Sequence, residues 1–135
     1  KIILPIDLVC SELDNPDQIK NRLVSMVQSN ESIFDIGTQT INKYRTIIES
    51  SKTIFWNGPL GYVEKTPFDN GTVEILKMIA SADNYSIIGG GDTVPIVEGL
   101  GLQNNITCLS TGGGSLLKYL EGESLPVLSK LGIMS

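Results

Sequence analysis

The chain has 135 residues, 41% of them apolar and 19% charged, the balance of one ordinary globular domain rather than of a disordered segment. A net charge of -5 argues against a broad nucleic-acid surface, and no apolar run reaches the roughly 20 residues that span a bilayer. The sequence holds no histidine, which excludes any mechanism that draws an imidazole base from this chain.

Lys1 to Val9 opens at once as a strand-like apolar run, the pattern expected of a piece of a longer chain. Ser11 to Ser32 is polar and irregular, with room for a small strand at Leu23 to Val27. Ile41, Tyr44, Ile47 and Ile48 then recur at helical spacing, with Thr38 or Thr40 placed to cap the helix. Lys52 to Trp56 reads as a second strand. Val73, Leu76, Ile79 and Ala80 mark a second helix, with Asn70 as its cap. Tyr85 to Ile88 and Ile106 to Leu109 complete the strands, and a short helix follows Asp92 and ends near Gly99 to Gly101. Continuous apolar strands alternating with helices predict an α/β fold on a parallel sheet, covered on both faces and joined by right-handed crossovers. Cys10 and Cys108 lie far apart inside apolar stretches and read as small buried residues of a reducing compartment.

Three glycine-rich loops follow the predicted strands: Trp56-Asn57-Gly58-Pro59-Leu60-Gly61 with Glu64 beyond it, Gly89-Gly90-Gly91-Asp92-Thr93, and Ser110-Thr111-Gly112-Gly113-Gly114-Ser115. In an open α/β sheet all three face the crevice at the carboxyl ends of the strands. A glycine triplet before a helix lets backbone amides approach an anion closely, although tight turns use glycine for their own sake. Two triplets on one sheet edge favour a phosphate site. The P-loop and Gly-x-Gly-x-x-Gly patterns are both absent, and no lysine or arginine lies within the loops. Position alone casts Asp92 as a helix cap, with a magnesium ligand on a nucleotide as the functional alternative. Glu64 is either a solvated carboxylate or an acceptor for ribose hydroxyls. Trp56 reads as core, and Asn57 as a polar residue in use at a strand end.

Lys1-Ile2-Ile3-Leu4-Pro5-Ile6-Asp7, Phe34-Asp35-Ile36-Gly37, Trp56-Asn57-Gly58-Pro59, Ile88-Gly89-Gly90-Gly91-Asp92-Thr93 and Ser110-Thr111-Gly112-Gly113-Gly114 occur in this order, followed by Leu120-Glu121-Gly122 and Leu125-Pro126. Together they resemble the C-terminal part of phosphoglycerate kinase. Thr38-Gln39-Thr40, where many relatives have proline after the glycine, and Ser115-Leu116-Leu117-Lys118, in place of Ala-Ser-Leu-Glu, depart from the pattern only at its flanks. The resemblance implies that residues 1–135 are the C-terminal portion of the nucleotide-binding domain, an incomplete Rossmann-like three-layer sheet. It implies phosphoryl transfer between 1,3-bisphosphoglycerate and MgADP, giving 3-phosphoglycerate and ATP in glycolysis, in the cytoplasm.

By the same resemblance Asn57, Gly90, Gly91, Asp92 and Thr93 contact the nucleotide phosphates, Asp92 holds the magnesium and Glu64 holds the ribose. Gly112, Gly113 and Gly114 present amides to the phosphoryl group in flight. Phosphoglycerate is then bound through an N-terminal domain outside this sequence, so the chain alone is expected to be inactive. Neither nucleic acid nor membrane is an expected partner. The full-length protein is expected to be a monomer, while the isolated chain could self-associate through an open sheet edge. The competing readings are a nucleotide- or phosphate-binding unit without turnover, and a folded remnant with no ligand.

Overall fold

A computed structural model describes residues 1–12 and 15–133. The chain, one domain by length, divides into two compact units: Lys1–Ile54 with Pro59–Tyr85, and Phe55–Gly58 with Ser86–Ser135. The architecture is α/β with a parallel three-stranded sheet flanked by helices, as the strand and helix alternation predicts, except that the opening apolar run joins a separate antiparallel sheet and not the parallel one. No helix among the described residues is long and apolar enough to cross a membrane.

The first unit contains an antiparallel sheet in the order β2-β1-β3, formed by β1 (Asp7–Glu12), β2 (Asn15–Leu23) and β3 (Glu31–Ile36). Helices α1 (Thr38–Ser50) and α2 (Asn70–Ser81) pack on one another, with Ile41, Ile75, Leu76 and Ile79 buried. The sequence expectation is corrected at three points here. The first strand begins at Asp7 rather than Lys1, and Ile2 and Leu4 are exposed. Pro5 has no N–H to donate to a ladder, which fits a strand that starts just beyond it. Residues 15–23, read as irregular, form the longest strand of the sheet, while Val24–Met26 is a 3-10 turn instead of a strand. Leu13 and Asp14, within the same stretch, lie outside the described residues.

Cross-strand charge, rather than apolar alternation, marks β2. Lys20 pairs with Glu12, and Arg22 forks onto Glu31 at 2.7, 3.1 and 3.2 Å. The hydrogen bond from Arg22, joined by the Gln28 amide at 3.0 Å, holds the Glu31 carboxyl down to about 2 from its ordinary 4.5. A depressed carboxyl gives stability that is complete above the ordinary value and is lost as pH falls through the folded one. Acid unfolding followed by circular dichroism should therefore steepen between pH 4.5 and about 2, and Glu31→Gln should flatten that interval. An unchanged acid limb in the variant would refute this.

The helix caps differ from the sequence reading as well. Gly37 and Asp69 occupy the N-cap positions of α1 and α2 without side-chain cap bonds, so Thr38, Thr40 and Asn70 are not the caps. Buried strand carboxylates take that role. Asp7 accepts from the amides of Gln39 at 3.1 Å and Thr40 at 2.7 Å, and Asp35 accepts from that of Gly71 at 2.7 Å. Burial pushes the Asp7 carboxyl up, but the Thr40 hydroxyl and the two amides outweigh it and hold it below the ordinary value. At Asp35 burial prevails over the amides of Gly71 and Ile36, with Asp69 adding repulsion, and its carboxyl sits above the ordinary value.

The second unit contains all of the parallel sheet but Thr53, Ile54 and Tyr85; its order is β4-β5-β6, from β4 (Thr53–Asn57), β5 (Tyr85–Gly89) and β6 (Cys108–Ser110). Ile87, Ile88 and Gly89 pair with Cys108, Leu109 and Ser110. Helices α3 (Thr93–Gly99), α4 (Gly113–Leu120) and α5 (Pro126–Lys130) follow, and Ile88, Val94, Val97 and Ile106 form the buried core. Both cysteines are free thiols, but only Cys10 is buried. Cys108 is exposed because its apolar neighbours make a three-residue edge strand rather than a covered one.

Candidate functional site

Parallel strands deliver their carboxyl ends to one edge, so Asn57-Gly58, Gly89 to Thr93 and Ser110 to Gly114 meet within the second unit. The Gly58 amide donates to the Gly89 carbonyl and the Gly90 amide to the Ser110 carbonyl, each at 3.2 Å. Gly90 has φ of +113°, and a Cβ there would lie 3.1 Å from the Gly58 nitrogen and 3.2 Å from Thr93 Oγ1. Glycine is therefore required at this point twice over, by backbone conformation and by close approach. A Cβ on Gly113 would stand 3.8 Å from Gly90 Cα, which places the third loop against the second.

Two buried polar atoms in these loops have no hydrogen-bond partner, Asn57 Oδ1 and Thr93 Oγ1. Thr93 is fully buried. Buried polar atoms are nearly always paired, so these two stand out; Asn84 Oδ1, just before β5, is the third such atom among the described residues. Asp92 holds the N-cap position of α3 but makes no side-chain cap bond and is exposed, which corrects the reading of it as a helix cap. It is an exposed residue of the second glycine-rich loop. Trp56 is half-buried, and its indole N–H donates to the Gly58 carbonyl, so the core reading of this side chain is only partly met. Among the described residues no group of three or more His, Cys, Asp or Glu could hold a metal ion by itself.

The structure thus brings together Asn57, Gly90, Gly91, Asp92, Thr93, Gly112, Gly113 and Gly114. Glu64 belongs to the first unit, where it is exposed on a turn closed by a bond from the Lys65 amide to the Tyr62 carbonyl at 3.2 Å. In that unit a cavity of about 380 Å³ is walled by Leu8, Phe34, Ile36 and Tyr62, with Asp35 and Gly61 at its side. Sequence reading misses it, because Phe34 and Tyr62 lie on different elements and nothing local joins them. The one available signal is that Phe34 opens the motif Phe34-Asp35-Ile36-Gly37 and Tyr62 stands two residues before Glu64.

Fold and loops place the chain among α/β proteins whose glycine-rich turns gather at the carboxyl edge of a parallel sheet. The family model for phosphoglycerate kinase matches residues 1–123, a span that includes every candidate site residue. The chain belongs to the phosphoglycerate kinase family. It is 43% identical over 131 residues to the phosphoglycerate kinase of Baumannia cicadellinicola subsp. Homalodisca coagulata, covering 96% of this chain and 33% of that protein. It is 44% identical over 131 residues to that of Buchnera aphidicola subsp. Baizongia pistaciae, with the same coverage of 96% and 33%. The structure of phosphoglycerate kinase from Coxiella burnetii superposes with a TM-score of 0.82 at 35% identity, covering 94% of this chain and 33% of that one. The Pyrococcus horikoshii OT3 enzyme gives 0.81 at 34% identity, covering 96% and 32%. The chain spans about a third of the length of the curated relatives it matches.

Proposed function

We propose that this chain supplies nucleotide-holding loops to a phosphoglycerate kinase, which transfers a phosphoryl group between 1,3-bisphosphoglycerate and MgADP to give 3-phosphoglycerate and ATP. The observation that carries this reading is the convergence of three glycine-rich loops over two unpartnered buried polar atoms, Asn57 Oδ1 and Thr93 Oγ1. In this reading the amides of Gly90 and Gly91 and the side chains of Asn57 and Thr93 take the nucleotide phosphates. Gly112, Gly113 and Gly114, at the start of α4, offer amides to the transferring group. Phosphoryl transfer needs positioning and charge neutralisation more than covalent chemistry, which suits a site built from backbone and lacking an imidazole. Magnesium bound with the nucleotide supplies charge neutralisation, and Asp92 is the carboxylate that would hold it.

Glu64 is proposed as the acceptor for ribose hydroxyls. The phosphoglycerate side of the reaction is assigned to residues outside this sequence, so turnover is expected of a longer polypeptide and nucleotide binding of this chain. A cytoplasmic setting follows from the glycolytic role.

The test is a MgADP titration watched through Trp56, the one tryptophan, whose indole touches Gly58. A saturable change is expected. Asp92→Ala should weaken it about ten- to a hundredfold, the worth of one charge-assisted contact. A flat response from a folded sample would overturn the reading.

A further inference from the structure

Glu64 is exposed, and no hydrogen bond or ion pair to its carboxylate is found among the described residues. Its direction is set by the backbone of the turn that carries it. Both ends of that loop are held by buried polar groups. The Thr72 hydroxyl accepts from the Leu60 amide at 2.8 Å and donates to the Leu60 carbonyl. Thr72 is fully buried on the first turn of α2, and it directs both its donor and its acceptor across to one loop residue.

Asp35, near the end of β3, accepts from its neighbour's amide, that of Ile36, at Oδ1 over 2.7 Å and keeps Oδ2 for the far end of the loop. Oδ2 accepts from the Gly71 amide at 2.7 Å, and a Cβ on Gly61 would lie 2.7 Å from Oδ1. The backbone at Gly61 therefore packs closely against both the Phe68 carbonyl, which a Cβ would meet more closely still, and the Asp35 carboxylate. The Tyr62 amide donates to the Phe34 carbonyl at 2.8 Å, and Phe68 stacks on Phe34 with ring centroids 4.7 Å apart. Glu64 lies between these two anchors.

We infer that Thr72 and Asp35 are positioning residues that fix the turn bearing Glu64 for its partner. Capping α2 requires an acceptor for its free amides only. It does not require Thr72 to bond both polar groups of Leu60, nor the chain at Gly61 to close on Asp35. These contacts tie the start of the loop to its end and leave Glu64 exposed between them. The inference rests on the reading of Glu64 as a ribose acceptor, and it identifies the side chains on which ribose selectivity depends.

The test compares MgADP with its 2′,3′-dideoxy analogue in the full chain, alongside amide hydrogen exchange and thermal melting. Thr72→Val keeps the branched volume and removes the hydroxyl. It should lower the preference for ADP by about three- to tenfold, the worth of a hydrogen bond, and speed exchange of the Tyr62 and Lys65 amides. Thr72→Ser should restore both, and Asp35→Asn should act in the same direction as Thr72→Val. Glu64→Gln should lower the preference to the same level, with no added loss when combined with Thr72→Val. A Thr72→Val protein that melts earlier but keeps the full ADP preference would overturn the proposal, since the hydroxyl would then serve the fold alone. If Glu64→Gln kept the preference while Thr72→Val lost it, the route through Glu64 would be refuted, with the phosphate loops untouched. Failure of the unaltered chain to bind either nucleotide would overturn the nucleotide reading and this proposal together.

Discussion

Gly90→Ala is expected to lower MgADP affinity by about tenfold or more and to cost about 1–3 kcal/mol of stability. At φ of +113° an L side chain is strained, and its Cβ would crowd the Gly58 nitrogen at 3.1 Å and Thr93 Oγ1 at 3.2 Å. The loop would have to open, moving the amides proposed for phosphate and separating the two unpartnered polar atoms. Gly91→Ala provides the contrast, since a Cβ there meets nothing within 4 Å and its φ lies outside the positive region. Its melting temperature should be unchanged while binding weakens, because only a bound ligand would meet the new methyl. Titration and thermal melting of both variants decide the matter. Wild-type affinity in Gly90→Ala would count against the site.

Phe68→Ala is expected to produce the largest loss of stability, about 3–5 kcal/mol, as for other buried aromatic truncations. Phe68 is 1% exposed and stacks on Phe34, so deletion removes both area and an aromatic pair. Small domains hold only about 5–15 kcal/mol in total, so the variant should be near its unfolding transition at physiological temperature. Denaturant melts would measure the loss directly. A change below about 1 kcal/mol would mean that the neighbourhood of Phe34 collapses to fill the space.

The helices were the most legible part of the fold. Ile41, Tyr44, Ile47 and Ile48, and then Val73, Leu76 and Ile79, repeat at an interval that only a helix satisfies, and α1 and α2 lie there. β4, β5 and β6 follow the apolar runs to within two residues at either end. β2 was illegible because its stability lies in Lys20 and Arg22 meeting Glu12 and Glu31 on other strands. Such pairs appear in the sequence as scattered charge.

The caps were misplaced for a related reason. Local rules look for the acceptor beside the helix, whereas Asp7 serves amides 32 and 33 residues away and Asp35 one 36 residues away. At the candidate site, glycine triplets after strands were visible because they break a strong pattern. That all three meet at the carboxyl edge follows from the parallel sheet; that Asn57 Oδ1 and Thr93 Oγ1 stay unpaired there depends on packing that no single loop carries.

The distant caps also bear on assembly. In both cases the carboxylate precedes its helix in the chain, so during synthesis Asp7 and Asp35 are made before the amides they will receive. A peptide covering Thr38–Ser50 alone would have neither the acceptor nor a partner face, and at 13 residues it sits near the lower limit for an isolated helix. The strands therefore act as a template awaiting each helix start. The helix ends should lock last, once the intervening loop has closed, and should be the first part of the unit to fray when the sheet is disturbed.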